Sequence, residues 1–276
     1  MIPQNFEYSA PTSLSDALAQ IVGGKARALA GGMSLIPIMK LRLAAPEQLV
    51  DLGRVPGLSY IREEKDGIHV GAMTTHYEVE SSPLVRSKCP LLAEAAANIG
   101  DVQVRNMGTL GGSIAHADPA ADYPASLMAL EARLKLVRAG GERTLTIEEF
   151  LVDPFTTALE PGELISEVIL PLENAGTGVA YQKMVQSASG FAIVGVAARI
   201  RQGFARVGVT GLAGKAYRAR EVERLLEGGA DARTAAARIA DGVDANSDLH
   251  ASADYRRNVA QIYAARAITR AQSGAA

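Results

Sequence analysis

Two double-glycine turns set in apolar sequence constrain this chain more than any other feature. They are Leu29-Ala30-Gly31-Gly32-Met33-Ser34-Leu35-Ile36 and Gly108-Thr109-Leu110-Gly111-Gly112-Ser113. Glycine allows a sharp turn or a close backbone approach, at an entropic cost that a packed helix or strand would avoid. In the first turn a short strand runs through two glycines into a helix start. Its successive N–H groups, backed by the helix dipole, suit an anion such as a phosphate. The second turn combines backbone donors with the Thr109 and Ser113 hydroxyls, and Asp118 and Asp122 follow as carboxylates suited to sugar hydroxyls. Neither turn contains a lysine. That disfavours triphosphate chemistry and favours a diphosphate held by backbone dipoles. Either turn alone is also compatible with a simple tight corner, and the presence of two in one domain favours a ligand. The residues therefore reach a dinucleotide-like ligand without saying which one.

Composition narrows the alternatives. At 276 residues, with 48% hydrophobic and 21% charged side chains, the chain is long and apolar enough for two packed domains rather than a disordered segment. Its 28 basic and 30 acidic residues give no electrostatic case for nucleic acid. A single cysteine, Cys89, supports no internal disulfide, cysteine-rich zinc site or iron–sulfur cluster. There is no P-loop, GxGxxG, GxSxG, SxxK or HExxH motif. His116-Ala117-Asp118 offers two ligands without a third, and His69 and His76 read as packing residues. No catalytic side chain and no metal ligand is assigned. The N-terminal stretch lacks a basic segment followed by an apolar one, and the longest uncharged run, 184–198, is fifteen residues. No membrane span is expected, and a cytoplasmic location is.

The pattern of elements predicts an α+β chain. A helix capped by Ser13 or Ser15 runs through Gln20, followed by a strand at 26–30. A helix spans 34–43, regular only after Pro37, and a strand follows at 49–52. Pro56-Gly57 marks a boundary. A hairpin of 58–62 and 68–71 precedes helices at 75–81 and 90–99, a glycine-rich loop, and a helix at 123–130. Strands at 133–138, 142–146 and 164–170 come next. After Asn174-Ala175-Gly176, three antiparallel strands (179–185, 192–201, 205–212) lead into three helices, the last with Tyr255, Val259, Ile262 and Tyr263 on one stripe.

Seven ordered segments carry a family resemblance: AGGMSLIPIMKLRLAAPEQLVDL (30–52), GAMTT (71–75), IGDVQVRNMGTLGGSIAHADPAADYP (99–124), GELISEVILP (162–171), AYQKMVQSASGFAIVGVAARI (180–200), YRAREVERLLEGG (217–229) and DYRRNVAQIYAARAI (254–268). With these the chain resembles the flavin-binding medium subunits of molybdenum hydroxylases, the carbon monoxide dehydrogenase and xanthine dehydrogenase family. The resemblance implies a vanillyl-alcohol-oxidase-like (PCMH) FAD-binding fold: subdomains at 1–57 and 58–174, then a C-terminal domain at 175–276 with a three-stranded antiparallel sheet and helices.

It further implies that Leu29, Ala30, Gly31, Gly32, Met33, Ser34, Leu35 and Ile36 wrap the FAD pyrophosphate and ribityl chain together with Thr109, Leu110, Gly111, Gly112 and Ser113, mainly through backbone N–H groups. Asp122 would accept from the flavin's hydroxyls, Ile99 and Ile165 would pack near its rings, and Lys183 would stabilise negative charge on the reduced ring. Bulky substitution of Gly111 or Gly112 should then abolish FAD retention with the fold intact. Ser113 stands where many relatives carry asparagine, and SASGF (187–191) replaces an Arg-then-Asp-Tyr/Trp pattern. The implied partners are a large subunit with a molybdenum cofactor and a small subunit with 2Fe–2S clusters, in a dimer of heterotrimers. Electrons would leave to a quinone, NAD or oxygen. A stand-alone FAD oxidase and a flavin-free interaction subunit are the alternatives, and the substrate is not legible.

Overall fold

A computed structural model describes residues 2–275. The first unit is a three-stranded parallel sheet of β1 (Glu7–Ser9), β2 (Ala26–Leu29) and β3 (Gln48–Asp51), in the order β1-β3-β2. Parallel neighbours need a crossover, and α1 (Leu14–Ile21) and α2 (Leu35–Lys40) supply it. Of the two serines considered as the cap of α1, Ser13 accepts the Asp16 N–H at 3.1 Å. Ala17, Leu18 and Ile21 then share one buried face, packed with Val50, Leu52, Val55 and Leu58. Helix α2 begins before Pro37, contrary to expectation. Pro37 lies in its first turn, where a missing N–H deprives no carbonyl of a partner.

The second unit is a five-stranded sheet in the order β4-β5-β10-β6-β7, with antiparallel neighbours throughout. The hairpin of β4 (Ile61–Glu64) and β5 (Gly67–Gly71) leads into six short helices: α3 (His76–Ser81), α4 (Pro83–Lys88), α5 (Pro90–Ala97), α6 (Val102–Met107), α7 (Leu110–His116) and α8 (Tyr123–Ala129). Thr75 and Glu78 form a capping box on α3. The glycine-rich loop expected between the helices at 90–99 and 123–130 thus contains two helices, α6 and α7. Strands β6 (Arg133–Arg138) and β7 (Gly141–Thr146), one-turn α9 (Ile147–Phe150) and a ribbon of β8 (Leu151–Asp153) with β9 (Thr156–Thr157) precede β10 (Leu164–Leu170). Strand β10 is apolar almost throughout because it lies mid-sheet with both faces covered. Cys89, between α4 and α5, is wholly buried, and burial pushes its thiol up to about 12.

The third unit is an antiparallel meander of β11 (Gly178–Val185), β12 (Ala192–Arg201), β13 (Phe204–Thr210) and β14 (Tyr217–Arg218). It has four strands rather than the expected three, the last pairing only Arg218 and Tyr217 with Gly208 and Val209. Helices α10 (Arg220–Glu227), α11 (Ala232–Ala236) and α12 (Ala253–Gly274) complete it. Helix α12 covers β11 and β12 on one face of the sheet, and α8 of the second unit covers β12 and β13. Strand β12 is accordingly buried from Ala192 to Ile200. The expected stripe on α12 is corrected: Tyr255 and Ile262 face solvent, while Val259, Ala260, Ala264, Ala267, Ile268 and Ala271 are buried.

Candidate functional site

The two glycine turns meet. A Cβ on Gly31 would collide with the Met107 carbonyl oxygen and come within 2.8 Å of the Gly108 Cα. One on Gly112 would lie 3.4 Å from the Ala30 Cβ. The absence of side chains at these points is what lets the first unit close against the second.

The first turn offers donors. Leu29 ends β2, and Ala30 to Ser34 connect it to α2, with Gly32 at φ +71°, a left-handed conformation that favours glycine. The N–H groups of Gly31, Gly32, Met33 and Ser34 have no acceptor among the described residues. Ser34 precedes α2 without a capping bond from its hydroxyl. Leu35 and Ile36 form the first turn of a helix only six residues long. The anion-binding capacity therefore lies in the turn's own amides more than in a macrodipole.

The second turn is different from expectation. Its amides are already committed: Leu110 N–H donates to the Thr74 carbonyl at 2.9 Å and Gly111 N–H to the Ala72 carbonyl at 2.8 Å. Gly112 N–H donates to Thr109 Oγ1 at 3.1 Å and Ser113 N–H to the Thr109 carbonyl at 3.0 Å. Thr109 is the N-cap of α7, and Leu110 to Ser113 are its first turn. These glycines serve close packing. A Cβ on Gly111 would sit 2.5 Å from the Ala72 Cβ and 3.0 Å from its Cα, so a bulky residue there would disturb the fold itself, contrary to the expectation above. Ser113 is half-buried at the surface of this turn.

Asp122 and Lys183 come together although 61 positions separate them in sequence. Both side chains are 4% exposed, with Nζ 2.8 Å from Asp122 Oδ1. The same Oδ1 accepts the Tyr181 hydroxyl at 2.7 Å. Lys183 also donates to the carbonyls of Asn98 at 2.6 Å and Gly190 at 2.8 Å. Three acceptors use its three N–H bonds. Lys183 is thus a tie between the second unit, the α8 entrance and the 186–191 turn, with its charge answered by Asp122. Burial pushes the Asp122 carboxyl up, while Lys183 and Tyr181 pull against that shift.

The remaining candidates lie in the second core or in the helices and loops beside it. Ile99 is half-buried against the second core, and its carbonyl accepts from Arg105. Ile165 lies on β10, 6% exposed, as a member of that core. Asp118 accepts the Ala120 N–H at 2.8 Å, a loop-forming role. His116 packs on Phe155, and burial lowers its pKa. His76 is buried against Tyr123, and burial brings it down to about 4, so it is neutral.

Sequence reasoning missed Tyr181 and Phe191. Tyr181 is fully packed yet polar at its tip; its place in AYQKM, two residues before Lys183 and on the same strand face, was the available signal. Phe191 is 42% exposed, beside the Gly190 carbonyl that Lys183 holds, and borders a cavity of about 260 Å³ shared with Ala120, Gln186, Ser189, His250 and Arg256. The candidate residues comprise free amides, a small-residue seam, a buried carboxylate and an exposed aromatic ring. That set suits an extended ligand with an anionic linker, hydroxyls and a flat ring.

Residues 4–173 match the family described as "FAD binding domain in molybdopterin dehydrogenase", and residues 179–271 match "CO dehydrogenase flavoprotein C-terminal domain". The chain is 40% identical to the carbon monoxide dehydrogenase medium chain of Hydrogenophaga pseudoflava, covering 98% of each. It is 37% identical to the glyceraldehyde dehydrogenase medium chain of Sulfolobus acidocaldarius, over 95% of this chain and 96% of the relative. Among solved structures, a chain of the Hydrogenophaga pseudoflava carbon monoxide dehydrogenase lacking the Mo-pyranopterin moiety superposes with a TM-score of 0.95 and 41% identity, covering 100% of both chains.

Proposed function

Since the chain belongs to the family of FAD-binding medium subunits of molybdenum hydroxylases, we propose that it works as the electron exit of such an enzyme. Substrate oxidation then takes place at a molybdenum centre in a large subunit. Electrons reach this chain through 2Fe–2S clusters of a small subunit and leave to a quinone, NAD or oxygen. Bound FAD supplies the two-electron redox chemistry that this chain's side chains lack.

The observation that carries the reading is the run of four unpartnered amides from Gly31 to Ser34, which begins at the glycine that abuts Met107 and Gly108. These amides would hold the pyrophosphate, with the Ser34 and Ser113 hydroxyls at its edges. Thr109 caps α7, Ala30 and Gly112 keep the seam narrow, and Gly111 packs the second turn onto Ala72. Asp122 would receive hydroxyl donors. Leu29, Met33, Leu35, Ile36 and Ile99 would supply apolar walls, with Ile165 behind them in the core. Lys183 would hold the 186–191 turn, and so Phe191, at the ring end.

Separate sheets support the division into 1–57, 58–174 and 175–276, with side chains of one unit, such as Val137 and Tyr181, packed into the core of the one before it. None of the described helices is long and apolar enough to cross a membrane, and our reading is a cytoplasmic dimer of heterotrimers. The test is the absorption spectrum of the purified chain, followed by addition of candidate substrates. A yellow flavin band, unbleached by substrate until the partner subunits are added, is expected. No flavin band would overturn the reading, and bleaching by this chain alone would favour a self-contained oxidase.

A further inference from the structure

We propose that Tyr181 is a positioning residue of the flavin site, whose hydroxyl holds Asp122 Oδ1 so that Oδ2 is the oxygen presented to a hydroxyl-bearing ligand. The inference rests on the FAD reading above and deepens it.

Three observations carry it. Tyr181 is 3% exposed on β11, and its hydroxyl donates to Asp122 Oδ1 at 2.7 Å. Lys183, two residues along the same strand face, approaches the same oxygen at 2.8 Å, and neither of these contacts uses Oδ2. The space for the tyrosine tip is made by Gly195 on the neighbouring strand: a Cβ there would collide with the Tyr181 hydroxyl. A chain that needed only bulk at this point could use phenylalanine. The hydroxyl therefore has a specific partner and a specific clearance.

The charge environment of Asp122 is defined on each side. From β11 it meets Lys183 and Tyr181, and along α8 it adjoins Tyr123, whose hydroxyl feels both Asp122 and Glu80 of α3. His76, against Tyr123, is neutral. Burial raises the Asp122 carboxyl, and Lys183 and Tyr181 oppose this. An ionised carboxylate is the stronger acceptor for a ligand hydroxyl. Loss of the Tyr181 hydroxyl lets the carboxyl rise further, so it becomes protonated at a higher pH, and affinity falls first on the acid side.

The test is a double-mutant cycle on the full chain: wild type, Tyr181→Phe, Asp122→Asn, and both together. FAD affinity is measured by quenching of flavin fluorescence as a profile from pH 5 to pH 8. Tyr181→Phe keeps the ring and is expected to weaken FAD about tenfold, to move the acid limb of the affinity profile to higher pH, and to have no further effect once Asp122 is Asn. An acid limb that does not move, or a loss that persists beside Asp122→Asn, would show packing alone and overturn the proposal. Should Tyr181→Phe fail to fold, a fluorinated tyrosine at position 181, a stronger donor of the same shape, must move that limb to lower pH; no change overturns the proposal. Absence of FAD binding by the wild-type chain would instead sink the flavin reading itself.

Discussion

His69 shows how single side chains set conditions on this fold. Its ring, 6% exposed on β5, has Asp66 Oδ1 2.9 Å from Nε2 and Glu167 Oε1 3.0 Å from Nδ1. Burial alone would lower its pKa, but the bonds to Asp66 and Glu167 outweigh it and the net shift is upward. A folded-state pKa above the unfolded value of about 6.5 means that protonated His69 stabilises the fold fully below that pH. The contribution is lost as pH rises through the folded value. Asp66 and Glu167 shift downward, so their contribution is present above about pH 4 and is lost in acid. The cluster is therefore strongest between those limits. Thermal melts of wild type and His69→Gln from pH 5 to pH 9 should differ most below about pH 6.5 and draw together as pH rises. Parallel curves would show that the ring acts only by packing.

Among the elements, α12 depends on small residues. Ala260, Ala264, Ala267 and Ala271 lie fully buried against β11 and β12, which lets helix and sheet approach closely. Ala264→Leu should cost about 1–3 kcal/mol through overpacking, read as a lower urea midpoint; an unchanged midpoint would mean that the interface has slack. The same alanines explain why the helix was visible in sequence while its buried face was not. Hydropathy favoured Tyr255 and Ile262, which are larger but point outward. Strands β10 and β12 were legible because coverage on both faces selects continuous apolar runs. Helices α4 and α6 were not: each is six residues long, and α6 buries no side chain, so neither has a readable period. At the site, the first glycine turn was legible from its local chemistry. The commitment of the second turn's amides to Ala72 and Thr74 was not, nor was the Asp122–Tyr181–Lys183 cluster, because these pairings are made between distant segments only when the units close.

Across the whole molecule, closure of the units is itself the organising event. Helix α8 lies between the second core and the third sheet, and Thr210 Oγ1 lies 2.8 Å from both the Pro119 and the Ala121 carbonyl oxygens, which share its one proton. Arg199 on β12 pairs with Glu173 at 2.8 Å, and the Glu173 N–H donates to the Lys88 carbonyl at 3.1 Å. Cys89 adjoins that junction and senses the charges of both Glu173 and Arg199. As the one thiol in the chain, it is a built-in clock for opening. A thiolate reagent can reach it only when the second unit separates from the third or unfolds locally. Its modification by a disulfide reagent should be slow and single-phase. If the ligand grips the seam that closure creates, saturating FAD should slow that modification by the ratio of free to bound opening equilibria. A labelling rate indifferent to FAD would mean that the junction at Cys89 opens without disturbing the flavin site.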